Sequence, residues 1–316
     1  MNRYIRKADD LITSHEQTRA GFIEAALEKN RKAKPFIESA RTLRVLACTA
    51  KEPMGLLAIE DIRPSLLTAS GLSDKSLKYF TEDDKTIAIK ELIQHFLLPA
   101  GDGFVDELVY RYLLIKGDSL GGSMRNFVGT IAKVKVTRKI LSVLNTMEIS
   151  YSVIFKTTKY SNKWYECNYI TDYEEADDIY AITWAYNGVE KVIFFDTTIP
   201  VVGKNVDICL YKGGIDEFDG GNIINNNEAA LMFGELKGGI DPAGADEHWK
   251  TGNTALERIR IAFNNNIKTS FVGAAIEKSM ASEIWRQLSD GTLTNAANLT
   301  FDDQFTDYCE WIVKLV

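Results

Sequence analysis

Apolar positions change their spacing once along the chain, near residue 150, and the change separates a helical first part from a sheet-rich second part. Before it, Phe22, Ile23, Ala26 and Leu27 fall at i, i+1, i+4 and i+5, so residues 9–50 are predicted helical. The basic run of residues 29–34 ahead of Pro35 predicts that one helix ends there at a solvated tip. Residues 60–98 read as two or three shorter helices, with Pro53, Pro64, Gly71 and Pro99 as punctuation. Residues 104–116 form a further apolar-periodic helix. It runs into residues 116–126, where three glycines, two serines, an Asp and an Arg predict a tight loop before a helix that begins near Phe127 and spans residues 128–147. Such a loop can present backbone N–H groups to a phosphate, with Arg125 as the charged partner. It reads equally as a plain interhelical turn.

Beyond residue 150 the vocabulary is that of β-structure. Residues 151–210 are rich in Tyr, Ile, Val, Thr and Phe. Residues 182–195 predict a hairpin around Asn187-Gly188, and Val206 to Tyr211 is the next strand. Residues 212–227, with two Gly-Gly pairs and Asn225-Asn226-Asn227, predict a long polar connection to a strand over 231–237. Residues 241–250 lead into a helix carrying Trp249, Leu256, Ile259 and Phe263, followed by a strand over 270–276 and a helix over 279–288. Strand, helix and strand in succession make a βαβ unit, so part of the sheet is predicted parallel and the fold class is α/β.

The strand over 231–237 ends an apolar run with Glu235-Leu236-Lys237, and a spacing of two places the carboxylate and the amine on one face. This is the tail of an Asp…(Asp/Glu)-x-Lys pattern, which requires an acid on a neighbouring strand. Asp207, 28 residues before Glu235 and inside its own apolar run, supplies one. Two carboxylates brought together repel unless a cation stands between them, and a small hard cation such as Mg²⁺ takes oxygen ligands and water. Taken alone, the same pattern also fits a strand end with an exposed ion pair, which is worth little.

Composition adds boundaries rather than identity. Hydrophobic residues at 45% and charged residues at 26% over 316 positions are those of an ordinary globular chain. No apolar run approaches eighteen residues and no secretory pattern opens the chain, so the expectation is a cytoplasmic protein without membrane spans. The net charge of −7 argues against indiscriminate coating of nucleic acid. The first 51 residues nevertheless carry 11 Lys/Arg against 6 Asp/Glu, leaving −12 for the rest, a segregation that could bring a polyanion to one face. Cys48, Cys167, Cys209 and Cys309 have no metal-ligand spacing and are expected as buried thiols. Cys209 shares the face of Asp207 and Tyr211, but no base accompanies it. His15 and His95 read as ordinary helix histidines.

Val206-Asp207-Ile208-Cys209-Leu210, residues 234–251 (Gly-Glu-Leu-Lys-Gly-Gly-Ile-Asp-Pro-Ala-Gly-Ala-Asp-Glu-His-Trp-Lys-Thr) and residues 117–126 (Gly-Asp-Ser-Leu-Gly-Gly-Ser-Met-Arg-Asn) together resemble the type II restriction endonucleases of the AvaI/BsoBI family. The likeness extends to Arg19-Ala20-Gly21-Phe22-Ile23, to residues 26–30 and to residues 293–300, and so covers nearly the whole chain. It implies a restriction-endonuclease-like PD-(D/E)xK core with a mixed β-sheet flanked by helices over 126–316, and a mainly helical subdomain over 1–125. It implies a homodimer that encircles duplex DNA, reads C-Y-C-G-R-G and cuts after the first C to leave four-nucleotide 5′ overhangs. A cognate DNA methyltransferase is implied as a genetic partner only. Asp207, Glu235 and the Leu236 carbonyl are implied as Mg²⁺ ligands, Lys237 as the residue that holds the attacking water or offsets charge, and His248 as general base. A lone histidine in a first helical turn is otherwise commonly structural or solvent-facing. Lys75 and Asp241 match positions for the degenerate base pair, and Lys204 and Glu247 are further candidates for DNA contact. Two rival readings remain: a repair or recombination nuclease without base specificity, and a DNA-binding protein in which the acids are only structural.

Overall fold

The computed structural model describes residues 1–73, 75–158, 161–167, 178–219 and 223–316, with the backbone alone for 125–130 and Cys167. It divides into two compact units, one of Met1–Phe22 with Phe127–Val316 and one of Ile23–Asn126. The first 22 residues therefore go with the sheet and not with the helical part to which a boundary at 125 assigned them. Their polar groups explain why: Asn2 Nδ2 donates to the Gln304 carbonyl at 2.7 Å, the Thr13 N–H donates to the Ile276 carbonyl at 3.0 Å, and Asn298 Nδ2 donates to the Leu11 carbonyl at 2.9 Å.

Among the described residues the larger unit holds one eight-stranded, mostly antiparallel sheet: β1 (Tyr151–Phe155), β2 (Tyr165–Cys167), β3 (Ile179–Tyr186), β4 (Val189–Ile199), β5 (Lys204–Lys212), β6 (Ala230–Lys237), β7 (Lys268–Gly273) and β8 (Asn295–Asn298). Their order is β2-β1-β3-β4-β5-β6-β7-β8. β3 and β4 form the expected hairpin, with Tyr186 paired to Val189 and the turn carried by Asn187 at φ 51° and Gly188 at φ 76°. β6 and β7 pair in parallel across a helical crossover.

Eight helices accompany the strands among the described residues: α1 (His15–Ala47), α2 (Arg63–Ala69), α3 (Glu82–Leu92), α4 (Phe104–Thr146), α5 (Ile215–Asp219), α6 (Ala245–Ala262), α7 (Lys278–Ser289) and α8 (Asp302–Lys314). α6 and α7 cover one face of the sheet, where Trp249, Leu256, Ile259 and Ile284 meet Cys209, Tyr211, Phe233 and Phe271. α8 and the last turns of α4 cover the other, where Val136, Ile140, Tyr308 and Ile312 meet Ile208, Leu210, Met232 and Val272. Alternation along β5 and β6 sends successive residues to these two cores, so both strands read as continuous apolar runs. The helical unit has its own core of Ala40, Leu43, Leu66, Ile89, Leu92 and Leu108. α3 starts there on a capping box, with Thr81 and Asp84 exchanging side-chain-to-backbone bonds. No helix among the described residues is long and apolar enough to cross a membrane.

Two helix boundaries differ from expectation. α1 continues through Pro35. A proline there removes one backbone bond at a cost of about 3 kcal/mol, and burial of Ala40, Leu43 and Ala47 over the turns that follow holds the helix together. α4 likewise absorbs the expected loop at 116–126 as one 43-residue helix. Each of its glycines costs about 1 kcal/mol against alanine, but no proline interrupts it, and Leu108 and Tyr112 before the run, Leu120 within it and Ala132, Val136 and Ile140 after it are buried. Interior helical N–H groups are used along the helix, so the phosphate-cradling loop is withdrawn; the Arg125 side chain lies outside the described residues.

Candidate active site

β5 and β6 pair from Tyr211↔Ala230 to Ile208↔Gly234, where the ladder ends. Continuing that register sets Asp207 directly across from Glu235, at the point where the two strands part. Beyond it the β6 backbone bonds differently: the Leu236 N–H donates to Asp207 Oδ2 at 2.8 Å. Lys237 Nζ donates to Glu235 Oε2 at 2.9 Å and stands 3.8 Å from Asp207 Oδ2. The spacing of two along β6 thus works as expected, placing one ammonium against both carboxylates.

Burial sharpens the electrostatics. Glu235 is 4% exposed, while the Asp207 and Lys237 side chains keep about a quarter of their surface. Loss of water around Glu235, and then the charge of Asp207, push its pKa up to about 7 against the pull of Lys237. For Lys237 burial works against the ammonium, but Glu235 and Asp207 outweigh it and hold the pKa above the ordinary lysine value. Cys209 is pushed up well beyond the usual thiol range by burial and then by Asp207, Asp196 and Glu235, so a thiolate nucleophile is disfavoured there. Cys309 is buried as expected, whereas Cys48 is exposed in the turn that follows the end of α1 at Ala47.

The support of this triad comes from residues that the sequence pattern did not single out. Glu235 pairs across β7 with Phe271, whose ring meets Trp249 of α6 edge-on at 5.0 Å. Trp249 Nε1 donates to Glu283 Oε2 of α7 at 2.7 Å. Gly252, one turn on from Trp249, faces the site: a Cβ built on it would stand 3.3 Å from Phe271 Cε2 and 3.5 Å from Lys237 Cε. A glycine inside an amphipathic helix is the one cue that could have flagged it.

The other candidates are dispersed. His248 is exposed in the first turn of α6. Its Nε2 lies over the loop leaving β6, 3.3 Å from where a Cβ on Gly244 would be and 3.8 Å from one on Gly239. Asp241 is exposed and caps the turn Pro242–Gly244, its Oδ1 accepting from the Ala243 N–H at 3.0 Å. Glu247, beside His248, and Lys204, at the start of β5, are exposed; so is Lys75, in the helical unit.

The donor set near the triad is entirely oxygen, and the pair already draws a cation, the Lys237 ammonium, between its members. Among the described residues no cluster of three or more His, Cys, Asp or Glu stands ready for a metal. An ion held by Asp207 and Glu235 would thus complete its shell from backbone carbonyl and water, the preference of Mg²⁺ rather than of a thiolate- or imidazole-seeking metal.

The family model described as restriction endonuclease BsobI matches residues 1–315. The chain is 49% identical over 315 residues to the type II restriction enzyme BsoBI of Geobacillus stearothermophilus, covering 99% of this chain and 97% of that one. It is 48% identical over 322 residues to the type II restriction enzyme AvaI of a Nostoc species, covering 99% and 98%, and equally to AvaI of Anabaena variabilis.

Proposed function

Because the chain belongs to the BsobI restriction endonuclease family, we propose that it makes Mg²⁺-dependent double-strand cuts in duplex DNA at the degenerate palindrome C-Y-C-G-R-G, after the first C, leaving four-nucleotide 5′ overhangs. It is a type II site-specific deoxyribonuclease. The observation that carries the mechanism is the register of Asp207 against Glu235 with Lys237 between them.

Asp207…Glu235-Leu236-Lys237 is the metal-binding signature of a PD-(D/E)xK core. Asp207, Glu235 and the Leu236 carbonyl would hold Mg²⁺, which when bound polarises the scissile phosphate and lowers the pKa of a water. Lys237 then offsets charge on the attacked phosphorus centre, where a fixed ammonium in a half-buried site is worth more than in water. His248, exposed over the loop that leaves β6, takes the proton of the attacking water. His248→Ala should lower the single-turnover cleavage rate by about a hundredfold while DNA binding holds; an unaltered rate removes it from this role.

Lys75 reads the degenerate position by donating to purine N7, which A and G share. Asp241 is a separate candidate for the degenerate base pair, and Lys204 and Glu247 serve base or backbone. A palindrome is met most simply by a two-fold protein, so the working form is a homodimer. A methyltransferase of the same specificity would protect cytoplasmic host DNA. Digestion of a defined plasmid with and without Mg²⁺, followed by sequencing of the ends, tests the whole reading. Discrete Mg²⁺-dependent fragments ending within C-Y-C-G-R-G are expected. A smear would point to a nuclease without base specificity, and binding without cleavage to a non-enzymatic protein.

A further inference from the structure

The row across the sheet that holds Asp207 and Glu235 has a third acid in it. β4 and β5 pair as Phe195↔Ile208 and Thr197↔Val206, so the residue facing Asp207 on its other side is Asp196. In a regular antiparallel pair the two side chains would share a face with Cβ atoms about 5 Å apart, and three carboxylates would line up as Asp196, Asp207 and Glu235. They do not. Asp196 has φ 50°, the one described non-glycine residue inside a strand with a left-handed backbone. Its carboxylate is paired instead with Lys133 of α4, Oδ2 to Nζ at 2.9 Å. Lys133 Nζ lies 5.3 Å from the centre of the Phe195 ring, and Phe195 belongs to the core on the sheet face opposite Phe271 and Trp249.

A left-handed non-glycine residue inside a strand is uncommon, and although Asp tolerates that backbone better than most side chains, it persists where its surroundings enforce it. Here the enforcing partner is an ammonium whose side chain is only 13% exposed. We propose that Asp196 is a positioning residue: its bend, pinned by Lys133, keeps the third place in the carboxylate row empty, leaving the space beside Asp207 open to the phosphate of the DNA backbone. The inference rests on the metal-dependent reading of Asp207 and Glu235. A carboxylate returned to that place would do two opposite things. It would add an oxygen ligand for a divalent cation, and it would repel the phosphate that must approach.

The test compares Asp196→Gly, Asp196→Val, Lys133→Met and the double variant Lys133→Met/Asp196→Gly. Mn²⁺ binding is read by electron paramagnetic resonance and cleavage by single-turnover kinetics on a defined duplex. Glycine keeps the bend and valine opposes it, so Asp196→Gly should cleave at least tenfold faster than Asp196→Val. Lys133→Met should bind Mn²⁺ at least threefold more tightly yet cleave at least tenfold more slowly, and adding Asp196→Gly should reverse both changes. A merely structural loss lowers binding and cleavage together. That outcome, equal rates for Asp196→Gly and Asp196→Val, or no rescue in the double variant would overturn the assignment. Asp207→Ala run alongside separates the two levels, since wild-type Mn²⁺ binding and cleavage in that variant would sink the underlying metal reading instead.

Discussion

Glu235 is where the protein accepts the largest electrostatic cost. A carboxylate with almost no exposed surface, facing another across a strand pair, is stable as an anion only to the extent that Lys237 or a bound cation compensates. The proton therefore stays on the folded protein up to about 7, while the unfolded chain releases it near 4.5. Between those values the folded state binds more protons, so stability falls as pH rises. At 1.36 kcal/mol per pKa unit, the group should cost metal-free protein roughly 3 kcal/mol across this window. Urea denaturation at several pH values should show that slope in the wild type and its absence in Glu235→Gln; equal slopes would mean that Glu235 is not strained. The two charges on β6 were legible in the sequence because strand alternation alone makes Glu235 and Lys237 neighbours. The Leu236 N–H bonding to Asp207 was not, since it depends on where the β5–β6 ladder stops. Asp196 was equally hidden, because neither its register nor its φ leaves a mark in one dimension.

At the scale of elements, the site depends on how closely α6 lies over β6 and β7. Gly252 permits that approach, and its absent side chain leaves room for the Lys237 stem and the Phe271 ring. Alanine there would gain about 1 kcal/mol of helix propensity, so a loss of activity could not be put down to a weakened helix. Gly252→Ala should lower the single-turnover cleavage rate about tenfold, because small displacements of a positioned group are costly, while DNA affinity holds. An unchanged rate would show that Lys237 is placed without help from α6. The βαβ crossover and the β3–β4 hairpin followed directly from apolar spacing and from Asn187-Gly188. The misjudged boundaries share one cause: local breakers were overridden by buried apolar residues, packed after Pro35 in α1 and on both sides of Gly117, Gly121 and Gly122 in α4. Local propensity is a weak prior against such burial.

At the scale of the whole molecule, residues 1–22 are the clearest case of organisation that spacing does not reveal. They join the sheet unit through hydrogen bonds to residues 302 and 287 positions away, a relation that no window along the sequence contains. Charge segregation was visible, with the basic excess in the first 51 residues and the acidic balance after them. What it leaves to the site is specificity of a chemical kind: two acids and one ammonium set against each other in a fold that buries them. In the function proposed above that cluster acts through a divalent cation, and cleavage and binding of one defined duplex by wild type and Glu235→Ala under single-turnover conditions with saturating Mg²⁺ measure this directly. Metal assistance is worth several kcal/mol, so the variant should cut slower by about a thousandfold or more while binding the duplex as the wild type does. A variant that cuts at the wild-type rate would contradict the account.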